Sequence, residues 1–289
     1  MLYETGRDWL AARHKRVLVF GMSGLGKTHV SNILRDSGDW FHYSVDYRIG
    51  TRYMGELIDD NLKREAMKNA FLADLLLRDS VHIGANITFE DLSPLSTFMG
   101  KPGDPAKGGI GFGEYERRQE HHLAAEIAAL LDAPDFVRKA EDIYGYTHFV
   151  CDSGGSICEV LDPQNPDDKV MTTLSQHLLP VWIEGGEDHA ARLAERFDAS
   201  PKPMYFNPEF LAATWSRFLA ETGVDENSAD PDAFMRAAFR RCLEQRLPRY
   251  RAMADHWGVR VNADEIAKVR NAGDFDIMIA RAIDKTRPA

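Results

Sequence analysis

Residues Val17–Ser31 read VLVFGMSGLGKTHVS. The apolar, β-branched run Val17-Leu18-Val19-Phe20 has the length and composition of a buried strand. It meets Gly21-Met22-Ser23-Gly24-Leu25-Gly26-Lys27-Thr28, which fits G-x-x-x-x-G-K-[ST] at every fixed position, and a short helix is expected from His29 to Arg35. Strand, glycine loop and helix are the setting in which this pattern cradles phosphate. Glycines let backbone N–H groups converge on anionic oxygens, and the helix N-terminus adds partial positive charge. The expected phosphate contacts are therefore Gly21, Ser23, Gly24, Leu25, Gly26, Lys27, Thr28 and His29. Lys27 would reach the β- and γ-phosphates of ATP, and the Thr28 hydroxyl would ligate Mg²⁺.

Outward from the loop, the 289-residue chain is ordinary in its apolar content (44%) and charged content (28%), as expected of a soluble globular protein. Its net charge of −10 argues against a general nucleic-acid or membrane-surface role, both of which need a basic face. Cys151, Cys158 and Cys242 are odd in number and lack zinc-site spacing, which suits free thiols in a reducing compartment. No apolar run approaches the roughly 20 residues of a membrane span, and the first 16 residues read as a short amphipathic helix rather than a signal segment. Cytoplasmic residence is expected.

Trp40 to Val45 predicts a second strand, closed by Asp46 at the edge where open α/β sheets bind ligands. Asn61 to Leu77 is helical in its apolar spacing. Ser80 to Gly113, rich in proline and glycine, predicts an irregular, flexible segment suited to a lid or a substrate cover. Glu114 to Leu131 predicts a helix whose early Arg117 and Arg118 oppose its dipole, a hint of an anionic partner. Tyr146 to Cys151 is the third predicted strand. It ends on Asp152, placed as a metal-side carboxylate, and then Ser153-Gly154-Gly155-Ser156 brings backbone close to the strand end. Leu179 to Ile183 is the fourth strand. Asp188 to Phe197 is a helix carrying Arg192 and Arg196 four residues apart, followed by a proline-locked loop, as in a lid that delivers positive charge to a phosphoryl group. Asn207 to Leu243 is mostly helical. Arg246-Leu247-Pro248-Arg249-Tyr250 then separates it from a further helix through Asp255, and Gly258 to Asn262 is a short fifth strand. Strands alternating with helices predict a parallel sheet covered on both faces.

In this order the pieces resemble the shikimate kinase branch of the P-loop small-molecule kinases. The loop matches throughout, and Asp46-Tyr47-Arg48-Ile49 is similar to the D-x-x-I after that family's second strand. Gly113-Glu114-Tyr115-Glu116-Arg117-Arg118 resembles its substrate-arginine helix, with Arg117 taken as the counterpart after a one-residue slip. Ser153-Gly154-Gly155-Ser156 resembles its triple-glycine turn. Arg196, Asp198 and Lys202-Pro203-Met204-Tyr205 resemble its lid, and Arg246-Leu247-Pro248-Arg249-Tyr250 its R-x-P-L-Y segment.

The resemblance implies a single three-layer α/β P-loop NTPase domain with a five-stranded parallel sheet in the order 2-3-1-4-5. Residues 61–109 would be an inserted substrate cover or lid, and 207–243 a helical insertion. It further implies ATP-dependent phosphoryl transfer to a hydroxyl of a small anionic metabolite. Lys27, Asp46 and Arg196 would be catalytic, with Asp46 accepting the hydroxyl proton. Arg192 would serve the nucleotide, while Asp46, Arg117, Gly154, Gly155 and Arg246 would hold the acceptor and Thr28 and Asp152 the Mg²⁺. A nucleotide-dependent ATPase or switch acting on a macromolecular partner would use the same loop. Polynucleotide end phosphorylation is disfavoured by the charge. The sequence leaves the oligomeric state open.

Overall fold

The computed structural model describes residues 2–286. Five strands form one parallel sheet in the order β2-β3-β1-β4-β5: β1 (Arg16–Phe20), β2 (Trp40–Ser44), β3 (His148–Asp152), β4 (Leu179–Glu184) and β5 (Val259–Asn262). The inner strands are almost wholly buried on both faces, as their continuous apolar runs predicted, whereas edge strand β5 alternates buried and exposed. In register, Val19 and Ser44 both stand beside Asp152, and Phe20 stands beside Trp182. The C-terminal ends of β2, β3, β1 and β4 therefore share one edge, where parallel α/β sheets gather their chemistry. This is the expected α/β fold with its 2-3-1-4-5 order.

Helices follow in chain order: α1 (Gly6–Ala11), α2 (Lys27–Asp36), α3 (Val45–Arg48), a π-helical turn (Ile49–Tyr53), α4 (Gly55–Ala66), α5 (Ala70–Leu77), α6 (Ser93–Met99) and α7 (Phe112–Asp142). Then come α8 (Ile157–Val160), α9 (Lys169–His177), α10 (Glu187–Ala199), α11 (Pro208–Thr222), α12 (Pro231–Trp257), α13 (Ala263–Ile266) and α14 (Ala272–Thr286). The chain divides into two compact units. The first, Met1–Val45, Ile127–Ser200 and Phe239–Ala289, holds the sheet. The second, Asp46–Glu126 and Pro201–Ala238, is helical and contains residues 61–109 and most of 207–243.

Three sequence expectations are corrected. The helix expected to end at Leu131 continues to Asp142, because the buried stripe Ala129, Leu130, Ala133, Val137 and Ala140 continues through Pro134. Pro248 does not interrupt α12, whose buried face of Cys242, Arg246, Tyr250 and Met253 holds the helix across the missing N–H. The segment 80–113 is not uniformly irregular: it contains α6, and its glycines build a tight turn in the second unit rather than a floppy run. Gly103 N–H donates to Ile110 O at 2.9 Å, Ile110 N–H donates to Lys101 O at 2.9 Å, and a Cβ on Gly109 would lie 2.5 Å from Gly103 O. Backbone packed that closely leaves no room for side chains.

Candidate nucleotide and phosphoryl-transfer site

The loop leaves β1 at Gly21, where φ is +140° and a Cβ would stand 2.7 Å from Ile183 O. It closes at Gly26, the N-cap of α2, with φ +96°. These backbone conformations belong to glycine. Lys27 is buried, and its Nζ donates to Gly21 O at 2.8 Å and Met22 O at 3.0 Å, so the ammonium lies folded over the loop's own carbonyls. Behind it, the Thr28 hydroxyl donates to Asp152 Oδ2 at 3.0 Å. Asp152 is buried, 7% exposed, at the end of β3.

A hydroxyl against a carboxylate beside a glycine loop is a donor set that suits Mg²⁺. Among the described residues no group of three or more His, Cys, Asp or Glu is arranged to hold a metal. The pair would therefore hold the ion together with phosphate and water oxygens, as Mg²⁺ sites commonly do. His42 of β2, not singled out from the sequence, has Nε2 3.8 Å from Asp152 Oδ2.

The turn after β3 is fastened to β1 by Ser153, whose N–H and Oγ–H reach Val19 O at 3.2 and 3.1 Å. A Cβ on Gly155 would lie 3.6 Å from both Ser23 N and Arg246 Nη1, which places loop, turn and Arg246 within one small neighbourhood. Arg246 is buried, with Nε donating to Glu159 Oε1 at 2.5 Å. The same oxygen accepts from Cys242 Sγ at 3.1 Å, and Tyr250 Oη–H donates to Gly155 O. Burial opposes the Arg246 charge, and the surrounding Cys242 and Glu159 more than offset it, so the guanidinium stays protonated. Burial pushes the Cys158 thiol up to about 12, leaving it inert. Glu159 carries no local sequence signal, because its partner Arg246 lies 87 residues away.

Helix α10 carries the two arginines expected of a lid. Arg192 and Arg196 are exposed, and Arg196 Nη2 lies 2.7 Å from where a Gly24 Cβ would be. On the same helix His189 meets the Ser23 backbone. Burial lowers its pKa, the Ser23 hydrogen bond works the other way, and Arg192 and Arg196 lower it further. A cleft of about 340 Å³ opens there, lined by Gly186, Asp188, His189, Arg192, Ala263 and Asp264. Lys27, Thr28, Asp152, Gly154, Gly155, Arg246, Arg192 and Arg196 thus all belong to the sheet unit.

Asp46 and Arg117 belong to the second unit. Asp46 sits in the first turn of α3, directly ahead of the π-helical turn, a rare backbone form frequent at functional sites. Arg117 is exposed and ion-paired with Glu114. Its neighbour Arg118 is the buried one: Nε donates to Glu114 Oε1 at 2.7 Å, Nη2 to Asn61 Oδ1 at 3.0 Å and Nη1 to Phe98 O, and the guanidinium lies over the Phe98 ring.

The sheet order, the strand–loop–helix unit and the carboxylate closing β3 make an α/β fold whose five-stranded parallel sheet carries a glycine loop at the C-terminal end of its central strand. No protein-family model and no curated protein matches this chain. Among solved structures it is similar to the 1.7 Å crystal structure of shikimate kinase from Bacteroides thetaiotaomicron. That match covers 94% of this chain and 95% of the other, with 13% identity and a TM-score of 0.39. Among the described residues no helix is long and apolar enough to cross a membrane.

Proposed function

We propose that the chain transfers the γ-phosphoryl group of ATP to a hydroxyl of a small anionic metabolite. The observation that carries this reading is the loop Gly21–Thr28 with Lys27 folded inside it and Thr28 hydrogen-bonded to Asp152. Backbone N–H groups of the loop and the α2 N-terminus would bind the phosphates. Lys27 would exchange its two carbonyl acceptors for phosphate oxygens, a stronger charge-assisted pairing. Thr28 and Asp152 would hold Mg²⁺, which would supply charge neutralisation at the phosphates.

Arg196, already against the loop at Gly24, would meet the negative charge that develops on the transferring group, with Arg192 at the nucleotide. Asp46 would orient the acceptor hydroxyl and take its proton at a carboxylate oxygen. Arg246, fixed by Glu159, and Arg117 would clamp the acceptor's anionic group, with Gly154 and Gly155 offering close backbone approach. The inserted segments 61–109 and 207–243 would cover that acceptor.

The test is ADP release from ATP–Mg²⁺ with pooled small-molecule acids and polyols, against release with water alone. Acceptor-stimulated release that disappears in Lys27→Ala, and transfer lost in Asp46→Asn with ATP binding kept, support the kinase. Stimulation by macromolecular fractions alone would replace it with a nucleotide-dependent switch.

A further inference from the structure

The buried polar groups behind the glycine loop extend past Thr28 and Asp152 to β2. Along that strand Trp40, His42 and Ser44 alternate with Phe41 and Tyr43. Tyr43 leaves on the α7 side, where its hydroxyl donates to Ala129 O at 2.6 Å. Trp40 leaves on the other side, toward Trp9 and Phe275, with its ring 4.9 Å from that of His148 on β3. His42 shares this second side, and so does Asp152, four residues along β3 from His148. Parallel pairing sets His42 beside Val150 and Ser44 beside Asp152, so the imidazole and the carboxylate are diagonal neighbours on one face. Helix α2 packs on both strands and brings Thr28 to the same place.

His42 and Asp152 are each 7% exposed. A carboxylate taken this far out of water is stable only among polar partners. The Thr28 hydroxyl approaches Oδ2 from α2 at 3.0 Å, and His42 Nε2 approaches the same oxygen from β2 at 3.8 Å. Thr28 spends its one proton on Oδ2 and keeps its lone pairs for a cation. An imidazole with its proton on Nε2 presents an N–H dipole to Oδ2 whether or not Nδ1 is protonated, so the effect needs no titration.

We propose that His42 is a positioning residue, which holds the Asp152 carboxylate toward Thr28 and so presets a Mg²⁺ site; the inference rests on the nucleotide–Mg²⁺ reading above. Groups that orient ligating carboxylates in this way govern metal affinity without touching the metal. The test is titration calorimetry of ATP with and without Mg²⁺, alongside the melting temperature of each variant. His42→Phe and the smaller His42→Leu should lower the Mg²⁺-dependent gain in ATP affinity about fivefold, with Mg²⁺-free affinity unchanged. His42→Gln, whose amide N–H reaches about as far as Nε2, should restore the gain to within about twofold. In an Asp152→Asn background His42→Phe should add nothing further, because the two act through one carboxylate. If Asp152→Asn loses the gain while His42→Phe and His42→Leu keep it, the proposal falls and the Mg²⁺ reading stands. A loss that His42→Gln fails to restore, or one shared equally by Mg²⁺-free binding, also overturns it. An unchanged chain without any Mg²⁺-dependent gain overturns the reading and the proposal together.

Discussion

Replacing Lys27 with methionine separates the two tasks of that side chain. In the folded chain its ammonium satisfies Gly21 O and Met22 O inside the loop. Methionine keeps most of the volume and leaves both carbonyls without that donor. An unsatisfied buried polar group costs about 1–3 kcal/mol, so the variant should lose roughly 2–4 kcal/mol of stability, partly relieved by water entering the loop. At about 2–4 °C per kcal/mol for a chain of this size, the melting temperature should fall by roughly 5–10 °C. Binding should suffer separately. ATP gains the lysine only after two internal hydrogen bonds are released, so the net loss is that of one charge-assisted bond, about 1.5–3 kcal/mol, rather than a whole ion pair. ATP–Mg²⁺ affinity should then drop roughly 10- to 150-fold by titration calorimetry, measured well below the lowered melting point. A folded Lys27→Met chain that binds ATP as tightly as the unchanged protein would refute the phosphate assignment. A chain of unchanged stability would refute the internal bonds.

Asp152→Asn should leave ATP binding without Mg²⁺ nearly intact while reducing the Mg²⁺-dependent gain about tenfold, measured as the ratio of affinities with and without the ion. Gly26→Ala forces an L side chain to φ +96° with its Cβ 2.9 Å from Ile266 Cγ2. A loss of about 1–3 kcal/mol in urea unfolding is expected, of which Ile266→Ala should restore only the steric part. Glu159→Ala strands the buried Arg246 guanidinium and should cost about 3–5 kcal/mol, whereas Arg246→Met/Glu159→Leu should refold to near-normal stability while losing acceptor binding. His148 accepts from Lys15 N–H at 3.2 Å, and its pKa is lowered, first by burial and then by Lys15. The unfolded chain therefore binds the proton first, and stability should fall as pH drops through 6.5 toward the lowered folded value. His148→Gln should flatten that part of the pH profile.

The strand–loop–helix unit was legible because everything it needs is local: a strand, three glycines with left-handed backbone and a helix start fall within fifteen residues. The place of Asp152 was legible for a similar reason, since an apolar run ending in a carboxylate describes a parallel strand and its C-terminal end together. Glu159 was not, because its meaning comes from Arg246 and Cys242, brought to it by a fold that joins positions more than eighty residues apart. The glycines of 103–109 misled for the opposite reason. Composition registers glycine as freedom, whereas at Gly103 and Gly109 neighbouring backbone has taken the space a Cβ would occupy.

The paired arginines of α7 show where sequence and structure together carry the case further than either alone. Arg117 and Arg118 are one helical step, about 100°, apart. That step separates an exposed side chain paired to Glu114 from a buried one holding Phe98, Asn61 and Glu114. Periodicity decides between them: Tyr115, Gln119 and His122 are buried and frame the same side of the helix as Arg118, while Arg117 falls with exposed Glu120 and His121. A buried guanidinium whose pKa is lowered first by burial, then by Arg64 and Arg117, is held in a fixed orientation at a cost in solvation. An exposed one is free to adapt. If the acceptor's anionic group is read by α7, Arg117→Ala should weaken its binding with the fold intact, whereas Arg118→Ala should unfasten α6 and α4 from α7 and lower stability as well. Acceptor affinity and urea stability measured on both variants separate a binding arginine from a structural one.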